Sequence, residues 1–299
     1  MKSAFYRFLI ELSRHGGFWI LGFFTWWITT GYFFLIPGRL AISIRFYRAV
    51  FPDRGLFYPL LCSWKQYHHF SRIFLDRLLL ADAMSPLHTQ EGWEYLEEAV
   101  NRQTGGIVLM SHIGNWEVAS RLLNTRGRDN PGMKLLLYLG EKHKEQLEKN
   151  QKESVASSGI RIISVTKEGG TPADIVEGIQ FLKSGGLVSL TGDRLWHTEQ
   201  RSVRVHFFGH EAFLPETPFI FALLSGAPLF IFFTYRIAGQ AYHYQVLPPQ
   251  YIRARDRAHR EEAIQKAAQF FADRLAEIVR THPWEWFHFE PFLGKKWTH

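Results

Sequence analysis

From Gly105 onward the chain alternates short apolar runs with helical stretches, and this alternation restricts the fold more than any other feature. Runs at 106–111, 134–139, 160–165 and 187–191 have the length of strands. Between them, 116–126, 141–157 and 172–184 carry helical patterns. That order arises when parallel strands are joined by helical crossovers. The expected fold class is therefore α/β, with a central, mostly parallel mixed sheet flanked by helices. Glycine pairs at Gly105-Gly106, Gly169-Gly170 and Gly185-Gly186 separate the units. Further strands are expected at 203–208, 229–235 and 242–247, with a helix at 218–224. Pro248-Pro249 ends the last of these runs. Residues 259–280 read as an amphipathic helix, with Ile264, Ala267, Ala268, Phe271, Leu275 and Ile278 along one stripe.

The N-terminal third differs. Residues 16–36 carry no charge, a run whose length suffices to cross a hydrocarbon core of roughly 30 Å. It is too long for the apolar core of a cleaved signal peptide. Aromatic residues outnumber aliphatic ones: Phe18, Trp19, Phe23, Phe24, Trp26, Trp27, Tyr32, Phe33 and Phe34. Trp and Tyr favour the headgroup interface, so a helix lying in the interface fits as well as a full span. Arg39, Arg45, Arg48 and Arg54 follow among apolar residues, a basic amphipathic pattern that suits anionic lipid and equally a solvated helix face. Helices are expected through 39–51, 59–80 and 91–101, with a turn at Pro52-Asp53-Arg54-Gly55. Three regions result: a membrane-anchoring segment at 1–38, a basic helical region at 39–104, and an α/β catalytic domain at 105–299.

Ser111-His112-Ile113-Gly114-Asn115-Trp116-Glu117 lies where the first strand gives way to a helix. In a regular helix, positions five apart point about 140° away from each other, and His112 could not meet Glu117. The two can meet if His112 is in the turn, Gly114 permits the bend and Asn115 caps the helix. Glu117 could then fix the imidazole tautomer while the other ring nitrogen takes a proton from an attacking hydroxyl. From spacing alone, a glutamate that only complements the helix dipole, beside an ordinary loop histidine, fits better.

This motif resembles the H-x-x-x-x-D/E signature of glycerolipid acyltransferases (the lysophospholipid acyltransferase superfamily), in the form used by the bacterial lipid A late-acyltransferase family. The same family places an acidic site after a later strand, as in Leu190-Thr191-Gly192-Asp193-Arg194. It continues with Phe-Phe-Gly and a proline-rich helix start, as in Phe207-Phe208-Gly209 and Leu214-Pro215-Glu216-Thr217-Pro218. It ends in a Trp-rich tail, as in His282-Pro283-Trp284-Glu285-Trp286. Two places depart from its pattern. Lys152–Gly159 lacks an expected arginine, and Tyr138-Leu139-Gly140 stands where many members have a Tyr-Arg pair. The acceptor therefore stays open between lipid A and another glycolipid or membrane lipid.

The resemblance implies an O-acyltransferase that moves a fatty acyl group from acyl carrier protein or coenzyme A to a lipid hydroxyl. His112 and Glu117 would be catalytic; Gly114, Asn115, Trp116, Tyr138, Asp193 and Arg194 would bind substrate, with Asp193 and Arg194 facing the acceptor or carrier. The thioester is a substrate, so no cofactor is implied, and no metal. The implied place is the cytoplasmic face of a bacterial inner membrane. The net charge of +7 would steer an acidic carrier or acyl-CoA equally. The alternative is an inactive basic module that binds lipid or carrier at the membrane surface.

Other chemistries lack their residues. The single cysteine, Cys62, excludes an intramolecular disulfide framework and a multi-Cys zinc site. Neither His-Glu-x-x-His, Gly-x-Ser-x-Gly, a Walker loop nor Gly-x-Gly-x-x-Gly occurs. No nucleic-acid partner is expected.

Overall fold

The computed structural model describes residues 18–81, 87–115, 118–119, 133–140, 161–165, 172–195, 199–238 and 241–297. The chain divides into two compact units: Met1–Leu87 with Ile278–Phe292, and His88–Glu277 with Leu293–His299.

The first unit is helical. Its elements are α1 (Phe18–Leu35), α2 (Pro37–Val50) and α3 (Phe57–Ala81). Pro37 at the start of α2 cannot continue α1, and the two helices meet at 89°. α1 packs on α3 through edge-to-face aromatic contacts, Phe33 with Trp64 at 5.1 Å and with Tyr67 at 5.4 Å between ring centroids. Residues 283–287 complete the unit. The Tyr47 hydroxyl donates to the Pro283 carbonyl at 2.6 Å, and Gln66 Nε2 donates to the Trp286 carbonyl at 2.7 Å. His69 Nδ1 meets Glu285 Oε1 at 2.6 Å. Burial pushes the Tyr47 hydroxyl well above its ordinary pKa, so it stays a donor.

The second unit has the expected α/β fold class. Its strands are β1 (His88–Glu91), β2 (Gly106–Met110), β3 (Leu135–Gly140), β4 (Arg161–Val165), β5 (Leu187–Thr191), β6 (Ser202–Phe207), β7 (His210–Pro215), β8 (Leu229–Ala238) and β9 (Ala241–Val246). Seven of them form one sheet in the order β1-β9-β8-β2-β5-β3-β4. β8 and β9 pair antiparallel; every other neighbouring pair in this sheet is parallel. β2 and β5 are central and buried through most of their length, which is why both read as continuous apolar runs rather than alternating ones.

The helices of this unit are α4 (Trp93–Asn101), α5 (Pro172–Lys183), α6 (Thr217–Ser225) and α7 (Arg260–Thr281), the last up to Glu277. α5, α6 and α7 cover one face of the sheet. Gly178 of α5 lies against Phe221 of α6 and the Tyr138 hydroxyl, while Phe271 of α7 stacks over Phe233 at 6.4 Å. The opposite face carries Val108, Met110, Ser189 and Phe230, as shown by the Gly106–Phe230 contact and by Ser189 Oγ donating to Met110 Sδ at 2.9 Å.

Two strands were absent from the sequence expectation. β1 is four exposed polar residues at the sheet edge, without an apolar pattern. β7 pairs with β6 as a separate antiparallel hairpin through a two-residue turn, Phe208-Gly209, with φ of 48° and 76°. Such turns favour residues that tolerate positive φ, and a phenylalanine in the first position hides the signal. The expected helices at 116–126 and 141–157 lie outside the described residues, apart from the helical pair Val118 and Ala119.

Candidate active site

The site is built at the C-terminal ends of β2 and β5, where open parallel sheets place their ligands. The ladder between them continues one step beyond the strands, with Gly192 N–H donating to the Met110 carbonyl at 2.9 Å. His112 and Asp193 follow immediately. The His112 backbone N–H donates to Asp193 Oδ2 at 2.7 Å, and His112 Nδ1 meets Asp193 Oδ1 at 2.8 Å. Asp193 is fully buried, while the His112 side chain keeps 25% of its surface exposed. An ionised carboxylate only accepts hydrogen bonds, so Nδ1 carries the imidazole hydrogen. Nε2 is left with its lone pair, directed away from Asp193. An imidazole held in this way can serve as a general base.

The turn after His112 is closed by Gly114. Its φ is +64°, and a Cβ there would run into the backbone carbonyl of Thr234 on β8. Glycine meets both demands, the left-handed conformation and the close approach. Asn115 is 1% exposed, and its carbonyl accepts the Ala119 N–H at 3.2 Å. It thus occupies the helix start assigned to it from the sequence. Val118 and Ala119, on the first turn, are buried.

The structure brings His112, Gly114, Asn115, Asp193 and Arg194 to one end of the sheet, with Arg194 half-buried beside Asp193. Expected from the sequence to face the acceptor or carrier, Asp193 places both carboxylate oxygens on His112 instead. Tyr138 faces the other side of the sheet, where its ring packs 6.4 Å from Phe221. Trp116 and Glu117, and with them the expected His112–Glu117 contact, lie outside the described residues. The His112–Asp193 pair was missed from the sequence because 81 residues separate its members. The signal for it is positional: both follow an apolar strand by two residues, and β2 and β5 are neighbours. Among the described residues, no group of three or more His, Cys, Asp or Glu is arranged to hold a metal ion.

The model of bacterial lipid A biosynthesis acyltransferases matches residues 73–295, well over half of the chain and the whole of this site. The chain belongs to the bacterial lipid A biosynthesis acyltransferase family. Phosphatidylinositol mannoside acyltransferases from two strains of Mycobacterium tuberculosis are each 24% identical to it over 201 residues. The match covers 67% of this chain and 58% of each mycobacterial protein, so this member of the family aligns with less than two thirds of their length.

Proposed function

We propose that this protein is a membrane-bound O-acyltransferase that transfers a fatty acyl group from a thioester donor to a hydroxyl of a glycolipid. The observation that carries the reading is the His112 Nδ1–Asp193 contact at 2.8 Å, which turns Nε2 away from Asp193. The acceptor hydroxyl gives its proton to Nε2 as its oxygen bonds to the thioester carbonyl carbon. Collapse of the tetrahedral intermediate breaks the C–S bond, and the imidazolium returns the proton to the departing sulfur. Asp193 holds the ring and stabilises its charged form. No acyl-enzyme is needed, because the acceptor is itself the nucleophile. Glu117 is assigned to the same site. Arg194 and Trp116 are assigned to substrate, and Gly114 and Asn115 to the shape of the turn. Family membership supports a lipid acyltransferase, and the mycobacterial relatives support a sugar-bearing lipid acceptor. The donor is acyl carrier protein or acyl-CoA, both anionic and both attracted by the basic chain.

The helical unit is assigned to the cytoplasmic face of a bacterial inner membrane. Trp19, Phe23, Trp27, Ile28 and Phe34 of α1 are each more than half exposed, an apolar face that a bilayer interface would cover. Arg39, Arg45, Arg48 and Arg54 are exposed alongside it and suit anionic headgroups. Among the described residues, no single helix is long and apolar enough to cross a membrane. Only α1 and α2 together have the length and composition, and they are bent by 89°. The reading is therefore an anchor that enters the bilayer without α1 alone crossing it. Mass spectrometry of total lipids from cells with and without the chain tests the proposal. One glycolipid class gaining a single acyl chain is the expected result; an unchanged lipid profile would refute it.

A further inference from the structure

Thr234 sits on β8, the other neighbour of β2. The parallel register pairs Ile107–Leu109 with Leu229–Ile231, so both strands run toward the end of the sheet where His112 and Thr234 lie. The turn closes on Thr234, since Gly114 abuts its carbonyl. Strand alternation puts the Thr234 side chain on the same face as Phe230, and so on the face of Met110, Ser189 and Thr191. His112 thus stands between β5, which supplies Asp193 to Nδ1, and β8, which supplies Thr234.

The Thr234 side chain is 3% exposed, and its hydroxyl has no hydrogen-bond partner among the described residues. A hydroxyl buried without a partner costs stability, and valine would fill the same space without that cost. Such a group in a native fold calls for an explanation: a ligand, an ordered water or a catalytic role. We infer that Thr234 is a catalytic residue whose hydroxyl donates a hydrogen bond to the carbonyl oxygen of the acyl thioester. The inference rests on the acyl-transfer reading above. As the acceptor oxygen bonds to the carbonyl carbon, negative charge moves onto the carbonyl oxygen. A preset donor shielded from solvent stabilises that charge more than water does, and it needs no reorganisation. When the C–S bond breaks, the charge leaves the oxygen again. Thr234 keeps its own proton throughout, and the proton that moves travels from acceptor to Nε2 to sulfur.

The test compares Thr234→Val and Thr234→Ser with the parent, using palmitoyl-CoA as donor. Free thiol release is followed with water and with a glycolipid extract as acceptors. Thr234→Val is expected to lower kcat by about tenfold to 10²-fold, with KM for the thioester within about twofold and a melting temperature at or above the parent's. Thr234→Ser, which keeps the donor, is expected to hold kcat within about threefold. Parental kcat in Thr234→Val would assign the hydroxyl to an ordered water and overturn the inference alone. An equal loss in both variants would show that the retained donor of Thr234→Ser does not preserve the rate, and would overturn it likewise. A parent that releases no thiol with either acceptor would overturn the inference together with the reading beneath it.

Discussion

Asp193 holds His112 at two points, the ring nitrogen and the backbone N–H, so the same carboxylate orients the imidazole and fixes the turn that carries it. An asparagine in its place can offer its NH2 group to Nδ1 and so favour the tautomer in which Nε2 carries the hydrogen and can no longer act as base. Asp193→Asn is therefore expected to lower kcat by about 10² to 10⁴-fold. KM for the acceptor should stay near the parental value. Steady-state kinetics decides the point: an increase in KM at constant kcat would place Asp193 on the acceptor instead.

Gly114 cannot be replaced by alanine without moving β8. The positive φ is unfavourable for any side chain, and the added methyl would meet the Thr234 carbonyl. Gly114→Ala is expected to cost more than about 1 kcal/mol of stability and to displace His112, so activity should fall further than the melting temperature alone explains. Thermal melts combined with thiol-release assays measure both effects. A variant with parental stability and rate would show that the turn tolerates a Cβ.

The anchor reading predicts a surface that answers to charge. Trp19 and Trp27 are 71% and 55% exposed. Replacing both with glutamate places two carboxylates where the interface should be. Vesicle sedimentation should then show binding weakened by about tenfold or more. Arg48→Glu should weaken binding to anionic vesicles while leaving neutral ones alone. Unchanged sedimentation of the double variant would move the anchor away from α1.

His68 makes the helical unit sensitive to acid. Its ring packs 4.3 Å from Trp64 and 5.6 Å from Trp26. Burial first, then the charges of Arg72 and His69, hold its pKa below the ordinary histidine value. The folded unit keeps His68 neutral at pH values where the unfolded chain takes up a proton. This contribution to stability is complete above about pH 6.5 and is lost as pH falls below it. In melts run from about pH 8 to about pH 5, His68→Gln should flatten the decline. Identical pH slopes in parent and variant would exclude His68 as its source.

The parallel strands of the sheet were legible because buried parallel strands write themselves as apolar runs between glycine breaks. The α7 stripe was legible because Ala268, Phe271 and Leu275 repeat at helical spacing. The turn at Gly114-Asn115 followed from residue chemistry. β1 and β7 were not legible: His88–Glu91 has no buried face, and the β6–β7 turn uses Phe208 where glycine or asparagine would announce it. Asp193 was found but given to the substrate. Its partner depends on which strands lie side by side, and local spacing carries no information about strand order.

The most direct test is acyl transfer by the purified protein in vesicles, with palmitoyl-CoA and palmitoyl carrier protein as donors and a glycolipid extract as acceptor. Product is followed by mass spectrometry for the parent and for His112→Ala. The account predicts a singly acylated glycolipid with the parent and a rate at least about 10²-fold lower with His112→Ala, while vesicle binding is unchanged. Parental transfer rates by His112→Ala would contradict it.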